Sequence, residues 1–476
     1  VILGLFILFI AFSCFVAINS YRKGFYLLIT IGAIQDPIRK MIPGAPSYLV
    51  LATAPVLIAM ALKVFHEIPS VWSTFSTVYP RLAFSVKLLM VSLLPGAVIS
   101  ATYGRGTWMV TLIGLFSYSC VVVGMLAGYR YIRDFAGFRR IIGFYCILTA
   151  IMLIGGPLQY LGLFKELPAI GTDYIWMRYT GNWYMIMIAG FYRSPDVMGW
   201  HASMLTMLSI MVALMKGIAK RYFWLAMAVW GAVNLMICGR RKMVYMLPIF
   251  IAVLGWVLLK RWKGGRLPTV LAVVLVLGLG TFMGYEFMGR SPLFEGYYLN
   301  QDADMGYRIN SSGYEALVAT YEEHGFFGAG LGFAYTGIHN LDVPKPRIWQ
   351  EGGLDRMLVE LGVPGLVCVL FVSVLMMKTM FTLTLKQMDP KNQEFIAVAG
   401  LMAIFCANGC SFILSHQIYG DPFVLSMLSI LVGVLFSFGR IQQYGYERAS
   451  NRNGSSREND YRASVPIIMR QKGRLN

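Results

Sequence analysis

Arginine is the residue whose placement in this chain asks for chemistry. Arg193, the run Arg240-Arg241-Lys242, Arg308, and Arg347 with Arg356 stand in polar stretches between long apolar runs. A guanidinium stays charged at any working pH, and its planar fork donates paired hydrogen bonds to phosphate oxygens. A single arginine there can equally be snorkelling toward lipid headgroups, whereas several converging on one face favour an anion site. Asp196, Asp302, Asp304, Glu315, Glu322, Glu323, Glu351, Asp355 and Glu360 share these stretches. Arg308, Glu315 and Glu322 recur every seven residues, which places them on one stripe of a helix. A carboxylate there is either a general base taking a proton from a hydroxyl or half of an ion pair that positions the loop.

Three histidines, His324, His339 and His416, lie on the same side as the arginines; His201 lies just inside an apolar span and His66 on the other side. His339, in Gly-Ile-His-Asn, is placed on a glycine-rich loop where a base active near neutral pH would fit. The sequence has no HExxH or close His pair, so no metal site is expected. It has no Walker loop, GxSxG or DxD triplet either. The string Gly328-Ala-Gly-Leu-Gly332 follows no strand of a βαβ unit, so it is not a nucleotide fingerprint. No nucleotide or other cofactor is expected.

The elements that must position these residues are apolar helices. Of 476 residues, 57% are hydrophobic and 13% charged, against roughly 25% charged in a soluble domain; mean hydropathy is +0.62. Runs such as Leu267–Met283 and Val363–Met377 are close to the ~20 residues that cross a bilayer as a helix, and no alternating barrel pattern is present. The fold class is therefore all-α: a polytopic transmembrane bundle of about 12–13 helices with a large, partly helical extracytoplasmic loop. Spans are expected near 1–18, 24–35, 47–63, 82–100, 108–129, 141–163, 197–215, 222–237, 243–259, 268–288, 356–377, 394–414 and 421–438, the second short and broken by Pro37. The first is read as a retained helix, not a cleaved leader.

Five segments follow: N-terminal helices 1–163, central helices 164–288 carrying the arginine motifs, a loop 289–355, C-terminal helices 356–438, and a basic, disordered tail 439–476. Segment 164–196 is polar, with an apolar piece at Trp183–Phe191 that reads as re-entrant or half-embedded. The net charge of +18 needs no nucleic acid to explain it. Arg130, Arg133, Arg139, Arg140, Lys216, Lys220, Arg221, Lys260, Arg261, Lys263, Arg266, Lys378, Lys386, Lys391 and the tail arginines fall on one side, which the positive-inside rule makes cytoplasmic. The seven cysteines are scattered in or beside helices, with no disulfide framework or zinc spacing.

On three stretches the chain resembles the O-antigen ligase and Wzy-type polysaccharide polymerase family, over roughly Trp183 to Phe438. Gly190-Phe-Tyr-Arg-Ser-Pro-Asp-Val-Met-Gly199 is similar to the family's arginine followed by a Pro-Asn turn opening a helix. Cys238-Gly-Arg-Arg-Lys242 resembles its Ser-Arg turn between two helices. Gly306-Tyr-Arg308 through Gly328–Gly332, then Glu360-Leu-Gly-Val-Pro-Gly-Leu366, resembles its loop and closing helix.

The resemblance implies a GT-C-like glycosyltransferase of the bacterial inner membrane, multi-pass, with its active site facing the periplasm. It implies transfer of a glycan from undecaprenyl diphosphate to a glycan acceptor, without metal or nucleotide sugar, alongside polysaccharide export and chain-length partners. Arg193, Arg240 and Arg308, with Arg241 beside them, match the arginines that hold the diphosphate. The ligases' His-Asn pair falls eleven residues before the glycine matching Gly362, where this chain has Glu351-Gly352; His339-Asn340 lies twelve residues earlier. Glu351, His339 and Glu315 are thus the candidate bases, and a polymerase is favoured over a ligase. From another class, a transporter or flippase of lipid-linked glycans is the alternative.

Overall fold

The structure is a computed structural model. It describes residues 1–104, 106–132, 134–164, 166–171, 177–180, 183–215, 220–261, 278, 310–335, 348 and 350–452, with side chains except at 67–69, 177–185, 310–312 and 442–452. The chain is an all-α polytopic bundle and a multi-pass membrane protein. Ten helices among the described residues are long and apolar enough to cross a bilayer.

The helices, in order, are α1 (Ile2–Asn19), α2 (Tyr21–Lys40), α3 (Thr53–Val78), α4 (Pro80–Ala101), α5 (Thr107–Tyr131), α6 (Phe135–Met152) and the short α7 (Gly155–Tyr160). After a hairpin come α8 (Pro195–Leu214), α9 (Arg221–Ile237), the single turn α10 (Arg241–Val244), α11 (Met246–Arg261), α12 (Ala316–His324), α13 (Gly353–Thr382), α14 (Gln393–Leu414) and α15 (Pro422–Arg452). The apolar α9 is shorter, with 17 residues, and α2 is more polar than the ten. The expected span 268–288 lies outside the described residues, apart from Gly278.

Several expected boundaries are corrected. The span 24–35 is the middle of α2, which runs through Pro37 to Lys40; in the last turn proline removes only one ladder bond. The span 47–63 is a 3-10 turn at Ser47–Leu51 followed by α3, which continues to Val78. His66 is therefore an exposed residue within α3, at the end of its apolar stretch, and not in a loop after the helix. Span 141–163 divides into α6 and α7. Within Trp183–Phe191, Trp183–Ile186 is strand β2, paired antiparallel with β1 (Met177–Thr180), and Met187, Ile188 and Ala189 are buried against the helices. The last helix does not stop at Phe438 but continues to Arg452, so the disorder expected from 439 fails for its first part, and 453–476 lie outside the described residues.

Small residues set the tightest packing. Along α5 and α15, a Cβ on Gly128 would run into the Ile430 carbonyl and one on Gly433 into the Met125 carbonyl. Close backbone approach of this kind is how helices associate where lipid offers no hydrophobic drive. α8 is the hub of the core: nearly all its residues are buried, and it packs on α6, α9 and α14.

The helix ends sort into two sets. At one, Tyr21 Oη donates to the Arg130 carbonyl (3.4 Å), Arg440 Nη2 to that of Ile132 (2.7 Å) and Arg261 Nη2 to that of Met388 (3.0 Å). Lys260, Lys386 and Lys391 belong here too; we call it the basic end. The N-terminus of α8, the α9–α10 turn and the start of α13 lie at the opposite end.

Candidate functional site

Arg193 is held at that opposite end by the approach to α8. Lys40 Nζ donates to the Gly190 carbonyl (2.8 Å), and Gln159 Oε1 accepts the Ala189 and Gly190 amides (3.0 and 2.7 Å). Ser194 caps α8 by accepting the Val197 amide, which leaves Arg193 just outside the helix. Its backbone amide donates to Asp36 Oδ2 (3.1 Å), its Nη1 lies 3.2 Å from Asp36 Oδ1, and its Nη2 pairs with Asp421 Oδ2. Both carboxylates are buried. Burial disfavours the guanidinium charge, but Asp421 and Asp36 overcompensate and raise its pKa, so Arg193 is permanently cationic.

In the first turn of α8, Asp196 is shared. Arg240 Nη2 is 2.8 Å from its Oδ2 and Lys242 Nζ 2.8 Å from its Oδ1. Gly239, at φ +74°, supplies the left-handed step by which α9 ends and Arg240 turns back toward α8. Lys242 Nζ also donates to Ser415 Oγ (2.8 Å). A third group stands at the start of α13: Arg356 Nε lies 3.5 Å from Glu360 Oε1, and Tyr118 Oη donates to Glu360 Oε2 (2.8 Å).

A link of seven residues, Ser415 to Asp421, ties these groups together. Ser415 takes Lys242, Asp421 takes Arg193, and His416 takes the start of α13. The His416 amide donates to the Glu351 carbonyl (3.1 Å), and its Nδ1 lies 3.1 Å from the Gly352 carbonyl and 3.3 Å from that of Glu351. Carbonyl oxygens only accept, so Nδ1 carries a hydrogen. Asp421 also accepts the Phe423 and Val424 amides, which makes it the N-cap of α15. Four cations (Arg193, Arg240, Lys242, Arg356) thus face four carboxylates (Asp36, Asp421, Asp196, Glu360), a set with no net charge.

The glycine string has a structural task. At Gly362 α13 kinks, with φ +65° and ψ −174°. The Val363 amide leaves the ladder for the Phe326 carbonyl (2.8 Å), and the Val359 carbonyl accepts the Ala329 and Gly330 amides instead (2.7 and 3.2 Å). Gly328, Gly330 and Gly332 all have positive φ. A Cβ on Gly330 would sit 2.7 Å from the Ser100 amide nitrogen. The string is therefore a loop inserted between α4, α5 and α13. It delivers Tyr335 among the charges: burial pushes its hydroxyl pKa up, Asp421 adds to the rise, and Arg193 and Arg356 pull against it. Tyr335 remains a neutral donor.

Of the residues expected from sequence, Arg193 and Arg240 come to the first turn of the same helix. Arg241 is half-buried beside Arg240, and Glu351 is exposed on the segment that His416 holds. Glu315 is exposed where a π turn (Asn310–Glu315) meets α12, as are Glu322 and Glu323. Arg308, His339, Asp302, Asp304 and Arg347 lie outside the described residues. Sequence reading passed over Asp36, Ser415, Asp421 and Tyr335. Asp36 carried a signal, an acid inside an apolar span, and so did Asp421, an aspartate directly before a proline-led helix. No cluster of metal-ligating side chains occurs among the described residues. Neither models of protein families nor curated proteins gave a match to the chain.

Proposed function

We propose that the chain is a polymerase of a bacterial surface or exopolysaccharide, transferring a glycan from undecaprenyl diphosphate to a glycan acceptor at the end that carries Arg193 and Arg240, with that end facing the periplasm. The observation that carries this reading is the single carboxylate of Asp196 held between Arg240 and Lys242 at the N-terminus of a 20-residue helix. A helix N-terminus favours negative charge. Two cations that share one carboxylate can each turn a donor to a phosphate while the other keeps Asp196 paired. Arg193, spanned by two carboxylates, anchors the site to α2 and α15.

In the reaction the glycosidic carbon loses its bond to the diphosphate oxygen, which leaves with the electron pair. The acceptor hydroxyl oxygen forms the new bond and its proton passes to a carboxylate, for which we assign Glu351. Arg240 and Lys242 stabilise charge that grows on the leaving diphosphate, the kind of contribution that is worth most in a water-poor site. Glu351 stands where the resemblance puts a ligase's His-Asn pair, which favours the polymerase over the ligase.

The test is chain lengthening by purified protein given a lipid-diphosphate-linked oligosaccharide, resolved on a gel. Arg240→Ala and Lys242→Ala should each slow it by about 10²-fold at unchanged folded yield. Full activity in both variants would remove the diphosphate grip, and wild-type protein that makes no longer chains would remove the polymerase.

A further inference from the structure

One cavity lies outside the Asp196 cluster. Between α4, α5, α13 and the start of α15 runs an open groove with a cavity volume of about 190 Å³. Its floor includes Val86, Val122, Met125, Val372 and Met376, and at the end away from the basic end it meets Arg356, Tyr118 and Tyr419. Along α4 and α5 the lining runs over Leu82–Leu89 and Ser117–Met125, about 10–12 Å at 1.5 Å per helical residue, close to the depth of one leaflet, half of the ~30 Å hydrocarbon thickness of a bilayer. The rim carries exposed apolar side chains, Phe84, Val121, Leu370 and Val374, so among the described residues the groove opens onto the surface that faces lipid. The hydroxyl of Ser117 is turned to its own helix, donating to the Ile113 carbonyl (2.9 Å).

We infer that this groove is a lipid-binding site that holds one hydrocarbon chain, with the phosphate of that lipid at Arg356. Three features select this occupant. The groove is apolar along its length, so nothing in it recompenses a polar group for lost water. Its length along α4 and α5 is close to the depth of one leaflet, which a single lipid tail fills. Its polarity is concentrated at one end, where a guanidinium offers phosphate a fork of donors and Glu360 keeps the empty site neutral. The site is distinct from the Asp196 cluster, since Ser415–Asp421 runs between them: Ser415 faces Lys242 while Tyr419 lines the groove. The inference stands whether or not the chain joins glycans. If it does, the protein has room for a second lipid besides the one whose diphosphate meets Arg240.

The experiment is photo-crosslinking of the full chain in nanodiscs with three diazirine-tailed probes: a phosphatidylglycerol, a polyprenyl phosphate and an uncharged lipid with a matching tail. Adducts are mapped by mass spectrometry. Either anionic probe should concentrate adducts on the α4, α5 and α13 residues of the floor, and which one does so identifies the lipid's source. Val372→Trp, which fills the groove, should abolish those adducts while leaving labelling of α1 and α9 intact. The paired change Arg356→Gln with Glu360→Gln, which leaves no orphan charge, should erase the preference for anionic probes. Adducts spread evenly over the lipid-facing helices and indifferent to Val372→Trp would overturn the site. Equal labelling by the uncharged probe would overturn the headgroup assignment. Floor labelling with no chain lengthening would refute the polymerase and leave the groove standing; lengthening without floor labelling would do the reverse.

Discussion

Asp421 does two jobs with one carboxylate: it caps α15 and pairs with Arg193. Asp421→Ala should therefore cost about 3–5 kcal/mol, the usual result of orphaning a buried charge, read as loss of thermal stability in detergent. Asp421→Asn keeps an oxygen for the cap and should cost less. A wild-type melting point for the alanine variant would refute the Arg193 clamp. Arg193 and Arg240 were legible in the sequence because they stand apart from the basic clusters that gather at the other end of the helices. Their partners were harder to find. Asp36 and Asp421 lie 157 and 228 residues from Arg193, and no local spacing joins them. Ser415 and Tyr335 are ordinary residue types whose role comes only from where the link and the glycine loop deliver them.

Among the elements, the kink in α13 and the loop docked on it form one unit. Gly362→Ala would need a left-handed residue with a Cβ 2.6 Å from the Phe326 carbonyl. The left-handed conformation alone costs 1–2 kcal/mol, so a loss of about 2 kcal/mol or more is expected. Faster proteolysis of 325–335 than in wild type would report it, and unchanged protection would show the kink to be dispensable. Apolar periodicity located most helices, but it could not fix their ends. α3 has 26 residues, about 39 Å of helix, and so outlasts the hydrocarbon: helical hydrogen bonds continue past the last apolar run. Sequence context set Gly328–Gly332 aside as a nucleotide motif but gave no hint that the same glycines allow close backbone contact with α4, α5 and α13.

For the whole molecule, the two sets of helix ends require opposite faces of one membrane. In a chain freed of its native cysteines, Glu351→Cys should react in intact cells with a thiol reagent that cannot cross the inner membrane. Lys391→Cys should react only after lysis. Labelling of both from outside would contradict the charge-based orientation. The orientation expected from the lysines and arginines clustered in short loops is what this labelling tests; the hairpin at 177–186 was not legible, because its two short strands sit in a stretch whose apolar content resembles a half-helix.

The Ser415–Asp421 link has an evolutionary consequence. Most inter-helical turns tolerate added or deleted residues, because their ends bear no separate obligations. Here three distant parts of the chain are attached to fixed positions within a span of seven. A single-codon insertion after His416 would leave Lys242 and α13 attached but carry Asp421 out of register with Arg193. Among descendants of this gene, the turn should therefore vary in spelling but keep its length.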